Sequence, residues 1–191
     1  MLTLQALLTR HSTPTRQLAA PGPGDAQLLA MLQTAVHVPD HGKRVPFRFL
    51  RIAGDARQRL ADAAEARLRV LEPATGDAVM EKLRIRFTLP PVTIAVIAKL
   101  GDDEKIPASE RFSSACCVAF QLLLAAQAEG FGAQWLTGWP AHDRGFLEHT
   151  LGLTSDEQLV GTIAIGTATL AVPERERPQA GALLADWPPT P

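Results

Sequence analysis

"ASERFSSACCVAFQLLLAAQAEGFGAQWLTG", Ala108 to Gly138, contains the longest apolar run in the chain, Cys116 to Ala128. Gln121 and Gln127 interrupt that run, and it is shorter than the roughly 20 residues a bilayer span requires. The pattern predicts a buried core helix from about Glu110 to Glu129, closed by Gly130, because glycine enters positive φ freely and suits the position after a helix. "FGAQWLTGW" then leaves the helix as a short strand that enters a turn. Such a helix needs a sheet to pack on, and the flanking sequence supplies one.

"PPVTIAVIAKL", Pro90 to Leu100, is β-branched on both faces and reads as a buried strand. "EQLVGTIAIGTA", Glu157 to Ala168, is another clear strand. In "FRFLRIAG", apolar Phe47, Phe49 and Ile52 are interleaved with arginines, as in a strand with one wet face. Leucines 4, 7 and 8 mark one face of a short helix between Leu2 and Arg10, which Pro14 stops. Asp25 caps a second helix that reaches about Val36 with Leu28, Leu29 and Leu32 inward. "DARQRLADAAEARLRVL" carries charges at helical spacing and reads as a solvated helix. The segment around "AVMEKLRIRF" adds another, and Asp143 to Leu151 a further one. The tail "VPERERPQAGALLADW" is rich in proline and charge and is expected to wrap the surface. The order is mixed α+β, one central helix packed on a sheet, in a single domain of residues 1–191.

Composition narrows the function classes. Of 191 residues, 46% are apolar, and 19 basic face 20 acidic residues without an aromatic-rich basic stripe, which argues against a nucleic-acid partner. Cys116 and Cys117 are adjacent in apolar sequence, a placement suited to a reducing compartment. The N-terminus "MLTLQALLTRHS" lacks the features of a signal peptide. A cytoplasmic protein with no membrane partner is expected.

"HVPDHGKRVPFRF", His37 to Phe49, places two histidines four apart, the spacing at which a helix shares one ion between two ligands. Pro39 spoils that geometry and no third ligand of suitable spacing is near, so a solvated loop is the plainer reading. No dinucleotide fingerprint or P-loop occurs, no serine or cysteine sits in a nucleophile elbow, and there is no tyrosine to act as an acid. Anion-binding groups are better represented. Arg10 and Ser12 pair a forked guanidinium with a hydroxyl, His11 adds a donor, and Lys43, Arg44, Arg175 and Arg177 add positive charge.

In this order "TRHS", "HVPDHGKRVPFRF", the Ala108 to Gly138 block, "GTIAIGTA" and "RERP" resemble the FMN-dependent nitroreductase family, in its compact bacterial branch, over nearly the whole chain. The resemblance implies a central, mostly antiparallel sheet flanked by helices, and a homodimer with two FMN molecules at its interface. It implies that Arg10, His11 and Ser12 contact the FMN phosphate and ribityl chain. His37 and His41 would line the cofactor across the subunit boundary, and Trp135, Leu136 and Thr137 would lie along the flavin. Ala125, Ala126, Gln127, Ala128, Glu129 and Gly130 match a segment assigned to the nicotinamide nucleotide. Family members often carry arginine at the positions of His11, His37 and Leu136, and tryptophan at that of Phe47. Arg175 and Arg177 resemble a K-x-R element that larger relatives use on the phosphate.

A flavin brings its own redox chemistry, so the protein has only to bind it, tune it and leave one face open. The expected activity is an oxidoreductase that takes hydride from NADH or NADPH and reduces nitroaromatic, quinone or similar small-molecule acceptors by a ping-pong cycle. A flavin-binding carrier or sensor without turnover is the alternative, and a metal protein built on His37 and His41 a third reading.

Overall fold

The computed structural model describes residues 4–187. Within them five strands form one sheet: β1 (Leu18–Ala19), β2 (Phe47–Ala53), β3 (Val92–Lys99), β4 (Gly132–Leu136) and β5 (Glu157–Ala168). The helices are α1 (Leu4–Leu8), α2 (Asp25–Ala35), α3 (Ala56–Leu71), α4 (Asp77–Thr88), α5 (Ala108–Ala128) and α6 (Arg144–Leu151). β3 lies between β2 and β5, and β5 also pairs with β4 and, at its end, with β1. Every one of these pairings is antiparallel.

Both faces of β3 are buried because both faces of the sheet are covered. Ile94, Val96 and Ala98 turn to one side and pack with α2 and α5. Ala95 and Ile97 turn to the other and pack with α3, α4 and α6, as the two-residue period of a strand dictates. Burying each large aliphatic side chain stabilises by roughly 1.5–3 kcal/mol, so β3 and the inner stripe of α5 anchor the three-layer arrangement. α5 is long and apolar enough, by length and composition, to cross a membrane. Here Val118, Ala119, Leu122 and Ala126 are spent on the core.

Four sequence expectations need adjustment. α3 is amphipathic, with Leu60, Ala61, Ala64 and Leu68 buried between its charged positions. On α2 the inward residues are Leu28, Met31 and Ala35, while Leu29 is 67% exposed. The leucines of α1 are left exposed by the described residues, Leu4 and Leu8 being 81% and 72% exposed; the predicted start of that helix at Leu2 lies outside the described residues. β1 was not anticipated, since two residues carry no periodicity. The tail is exposed as expected, with a single 3₁₀ turn at Ala180–Leu183.

A bulge fixes where β4 lies. Val96 pairs with Gly161 but Ile97 with Leu159, so Val160 is the extra residue of β5 and its carbonyl drops out of that ladder. The Trp135 indole N–H donates to this carbonyl at 3.2 Å. Gly161 makes room, because a Cβ there would collide with the indole and lie 2.9 Å from the Leu136 carbonyl oxygen. Trp135 is therefore committed to the α5 side, and the alternate residues Gln134 and Leu136 face the other way.

Candidate active site

Gln134 and Leu136 form one wall of a cleft of about 770 Å³. Leu83, Lys82 and Arg86 of α4 form the opposite wall, and Pro14 to Arg16 and Trp139 complete it. The chain before β1 is held at the rim by two bonds to β4: the Thr13 N–H donates to the Ala133 carbonyl at 3.0 Å, and the Thr15 N–H to the Gln134 side-chain oxygen at 2.9 Å. Apolar walls with polar groups at the ends suit a flat, mostly aromatic ligand.

Neither Arg10 nor Arg86 has a carboxylate partner among the described residues. Among the described residues Arg10 reaches only the Ser12 hydroxyl, at 3.4 Å. Burial lowers its pKa first, and the neighbouring charges of Arg177 and then Arg175 lower it further. The fold thus brings Arg10 and Ser12 near Arg175 and Arg177 from opposite ends of the chain. Guanidinium groups drawn together in this way suit a phosphate. Arg86 lies deeper in the cleft: its Nε is sealed from solvent and has no hydrogen-bond partner among the described residues. Burial pushes its pKa down to about 10, which still leaves it charged at neutral pH.

His11 faces a second, smaller cleft of about 300 Å³, which Gln127 and Gly130 at the end of α5 also line. Its Nε2 lies 3.5 Å from Glu174. Within the segment expected to meet the nicotinamide, Ala125 and Ala126 are core residues, 6% and 0% exposed. Gln127, Ala128, Glu129 and Gly130 are the accessible part, with Gly130 at φ +80° ending the helix.

The loop carrying His37 and His41 is ordered by its own residues. The Asp40 carboxylate accepts from the N–H groups of Arg44 at 3.1 Å and Val45 at 2.8 Å. Ser114 of α5 donates to the Pro39 carbonyl at 2.9 Å. His41 Nδ1 sits 2.7 Å from Glu110, and both histidines are exposed. Neither lines the large cleft within one chain, and no group of three His, Cys, Asp or Glu residues that could hold a metal exists among the described residues. Leu136 lines the cleft, Thr137 is exposed beside it, and Trp135 turns its ring away.

Arg16, Lys82, Gln134 and Arg86 escaped the sequence reading. For Arg86 a signal existed: it falls three residues after buried Leu83 and one before buried Phe87, a cation beside the apolar stripe of a helix.

Residues 7–167 match the model of the nitroreductase family. A Haemophilus influenzae protein named "Putative NAD(P)H nitroreductase" is 31% identical over 165 residues, 86% of this chain and 87% of that one. Among solved structures, a nitroreductase-like family protein from Bacillus cereus superimposes with a TM-score of 0.82 at 22% identity, covering 98% of this chain and 99% of the other. A Desulfovibrio desulfuricans structure described as a putative nitroreductase in complex with FMN gives a TM-score of 0.73 at 24% identity, covering 98% and 97%. The sheet, the central helix and the arginine-rimmed cleft thus stand in a chain that belongs to the nitroreductase family.

Proposed function

We propose that the protein is an FMN-dependent oxidoreductase of the cytoplasm that takes hydride from NADH or NADPH and reduces nitroaromatic, quinone or similar small acceptors. The observation that carries this reading is the 770 Å³ cleft lined by Arg16, Lys82 and Arg86, the last with an Nε that has no hydrogen-bond partner among the described residues. Family membership and the NAD(P)H nitroreductase name of the Haemophilus relative support it. So does the FMN bound in the Desulfovibrio structure.

When bound, FMN supplies the redox chemistry, accepting hydride from the nicotinamide and passing electrons to the acceptor. The protein's own groups hold it. Arg10, Arg175 and Arg177 neutralise the phosphate, and Ser12 donates a hydroxyl to it. Leu83, Leu136 and Trp139 exclude water around the ring, while Gln134, bound to the Thr15 N–H, fixes the rim. With one open face serving donor and acceptor in turn, the cycle is ping-pong, and the accessible residues Gln127 to Gly130, with His11, lie where the nicotinamide nucleotide enters.

A second copy of the chain completes the site. Phe120 on α5 is 47% exposed, as are Leu4 and Leu8 on α1 and Trp187 in the tail to greater degrees. Exposed apolar side chains of this size suit a partner surface. A homodimer that covers them brings His37 and His41 of one subunit to the flavin of the other.

The test is a flavin spectrum of the purified protein, FMN release on denaturation, and anaerobic addition of each reduced nucleotide. Yellow protein bleached by NADH or NADPH is expected. Yellow protein that neither nucleotide bleaches would favour a carrier or sensor, and absence of flavin binding would remove the reading altogether.

A further inference from the structure

Arg86 stands apart from the other arginine of its helix. Arg84, two residues earlier and so on a different side of α4, is held by Asp62 at 2.9 Å and Glu65 at 2.6 Å. Arg86 packs over the Phe87 ring, 5.4 Å from its centroid. Its Nη1 lies where a Cβ on Gly138 would be 3.6 Å away. No carboxylate or carbonyl among the described residues accepts from it, and its Nε is closed to solvent. The other charged groups of the cleft, Arg16, Glu72, Glu81 and Lys82, are exposed and screened by water.

A half-buried cation whose Nε is sealed from solvent and unpaired costs stability and is a poor structural device. The same low-dielectric setting makes it a strong source of electrostatic stabilisation for negative charge that appears in the cleft, with little reorganisation needed. We propose that Arg86 is the cleft's fixed positive charge and sets the reduction potential of the bound flavin. It does so by stabilising the negative charge that two-electron reduction places on the isoalloxazine. This rests on the FMN reading above. Hydride transfer from the nicotinamide delivers two electrons and one hydrogen nucleus, leaving NAD(P)⁺ and one added negative charge on the ring, with no further proton required. Arg86 acts through its charge alone and exchanges no proton, since it stays protonated throughout.

The experiment compares wild type with Arg86→Met and Arg86→Lys as FMN-loaded proteins. It measures the midpoint potential by anaerobic equilibration with a reference dye, and separately the affinity for oxidised FMN. Arg86→Met should weaken binding of the reduced cofactor relative to the oxidised one about ten- to hundredfold. That is a fall of about 30–60 mV at about 30 mV per tenfold for a two-electron couple. Arg86→Lys, which keeps the charge, should stay within about threefold of wild type. Flavin-free Arg86→Met should unfold at the same or a higher temperature, which a structural arginine would not allow. If Arg86→Met is hard to prepare, Arg86→Gln gives the same reading. An unchanged potential in the Met or Gln variant with FMN bound would overturn this inference and leave the FMN reading intact, and an equal fall in Arg86→Lys would overturn the role of charge. Wild-type protein that binds no FMN would overturn both.

Discussion

Two populations of arginine occupy this molecule. Around β5 and on the α3, α4 and α6 face they are paired. Arg48 grips Glu157 through two bonds of 2.5 and 2.7 Å, Arg67 grips Asp143 at 2.7 and 2.8 Å, and Arg84 bridges Asp62 and Glu65. Arg111 caps the Lys99, Leu100 and Ile106 carbonyls. Among the described residues, Arg86 in the cleft has an Nε without an acceptor, and Arg10, outside the cleft lining, has only a distant hydroxyl with two further arginines nearby. One residue type thus does two jobs: where the protein supplies the anion the arginine holds the fold, and where it does not, a ligand is expected to.

The largest effect should come from the paired set. Arg48→Met strands Glu157, which is 8% exposed. Breaking such a pair costs about 3–5 kcal/mol, to be read by urea denaturation of the flavin-free protein, with FMN affinity of the folded fraction unchanged. A large loss of FMN affinity at wild-type stability would break the division between the two sets.

Acid should reveal the same pair. Hydrogen bonds from Arg48 hold the Glu157 carboxyl down to about 2, against an ordinary value of 4.5. The unfolded chain therefore takes up this proton first. The stabilisation, about 2–3 kcal/mol, is fully present above the ordinary carboxyl value and is lost as pH falls from there through about 2. Glu157→Gln should remove that component from the stability–pH curve between those values.

Arg10→Ala probes the unpaired set. Losing charge-assisted bonds to a phosphate costs about 1.5–3 kcal/mol, so FMN affinity should fall about ten- to hundredfold while thermal stability barely moves. Full flavin occupancy at micromolar protein with unchanged affinity would take Arg10 out of the site. The smallest effect belongs to the exposed helix pair Arg144–Glu148, 2.6 Å apart. Glu148→Gln should change stability by less than about 0.5 kcal/mol, and a larger loss would show that exposed pairs matter more here than their solvation suggests.

The elements that place the cleft were readable where periodicity is strong. β3 announces burial on both faces through its β-branched residues, β5 was bounded at Glu157 and Ala168, and α5 is closed by Gly130. The leucines of α1 and Leu29 misled because an apolar stripe says that something covers it, not that the same chain does. Arg10 and the tail arginines were legible as anion-binding residue types, and their convergence needed the fold. Arg86 was hidden for a different reason. Sequence shows that a cation is present, but whether it has a partner is a three-dimensional fact, and Arg84 and Arg86 look alike until Asp62 and Glu65 are placed.

The most direct test of the unpaired arginines as counterions of a cofactor is the affinity of the flavin-free protein for FMN against riboflavin, which differ by the phosphate alone. FMN should bind about ten- to hundredfold more tightly, with the gap narrowing in Arg10→Ala; equal affinities for the two flavins would contradict the assignment.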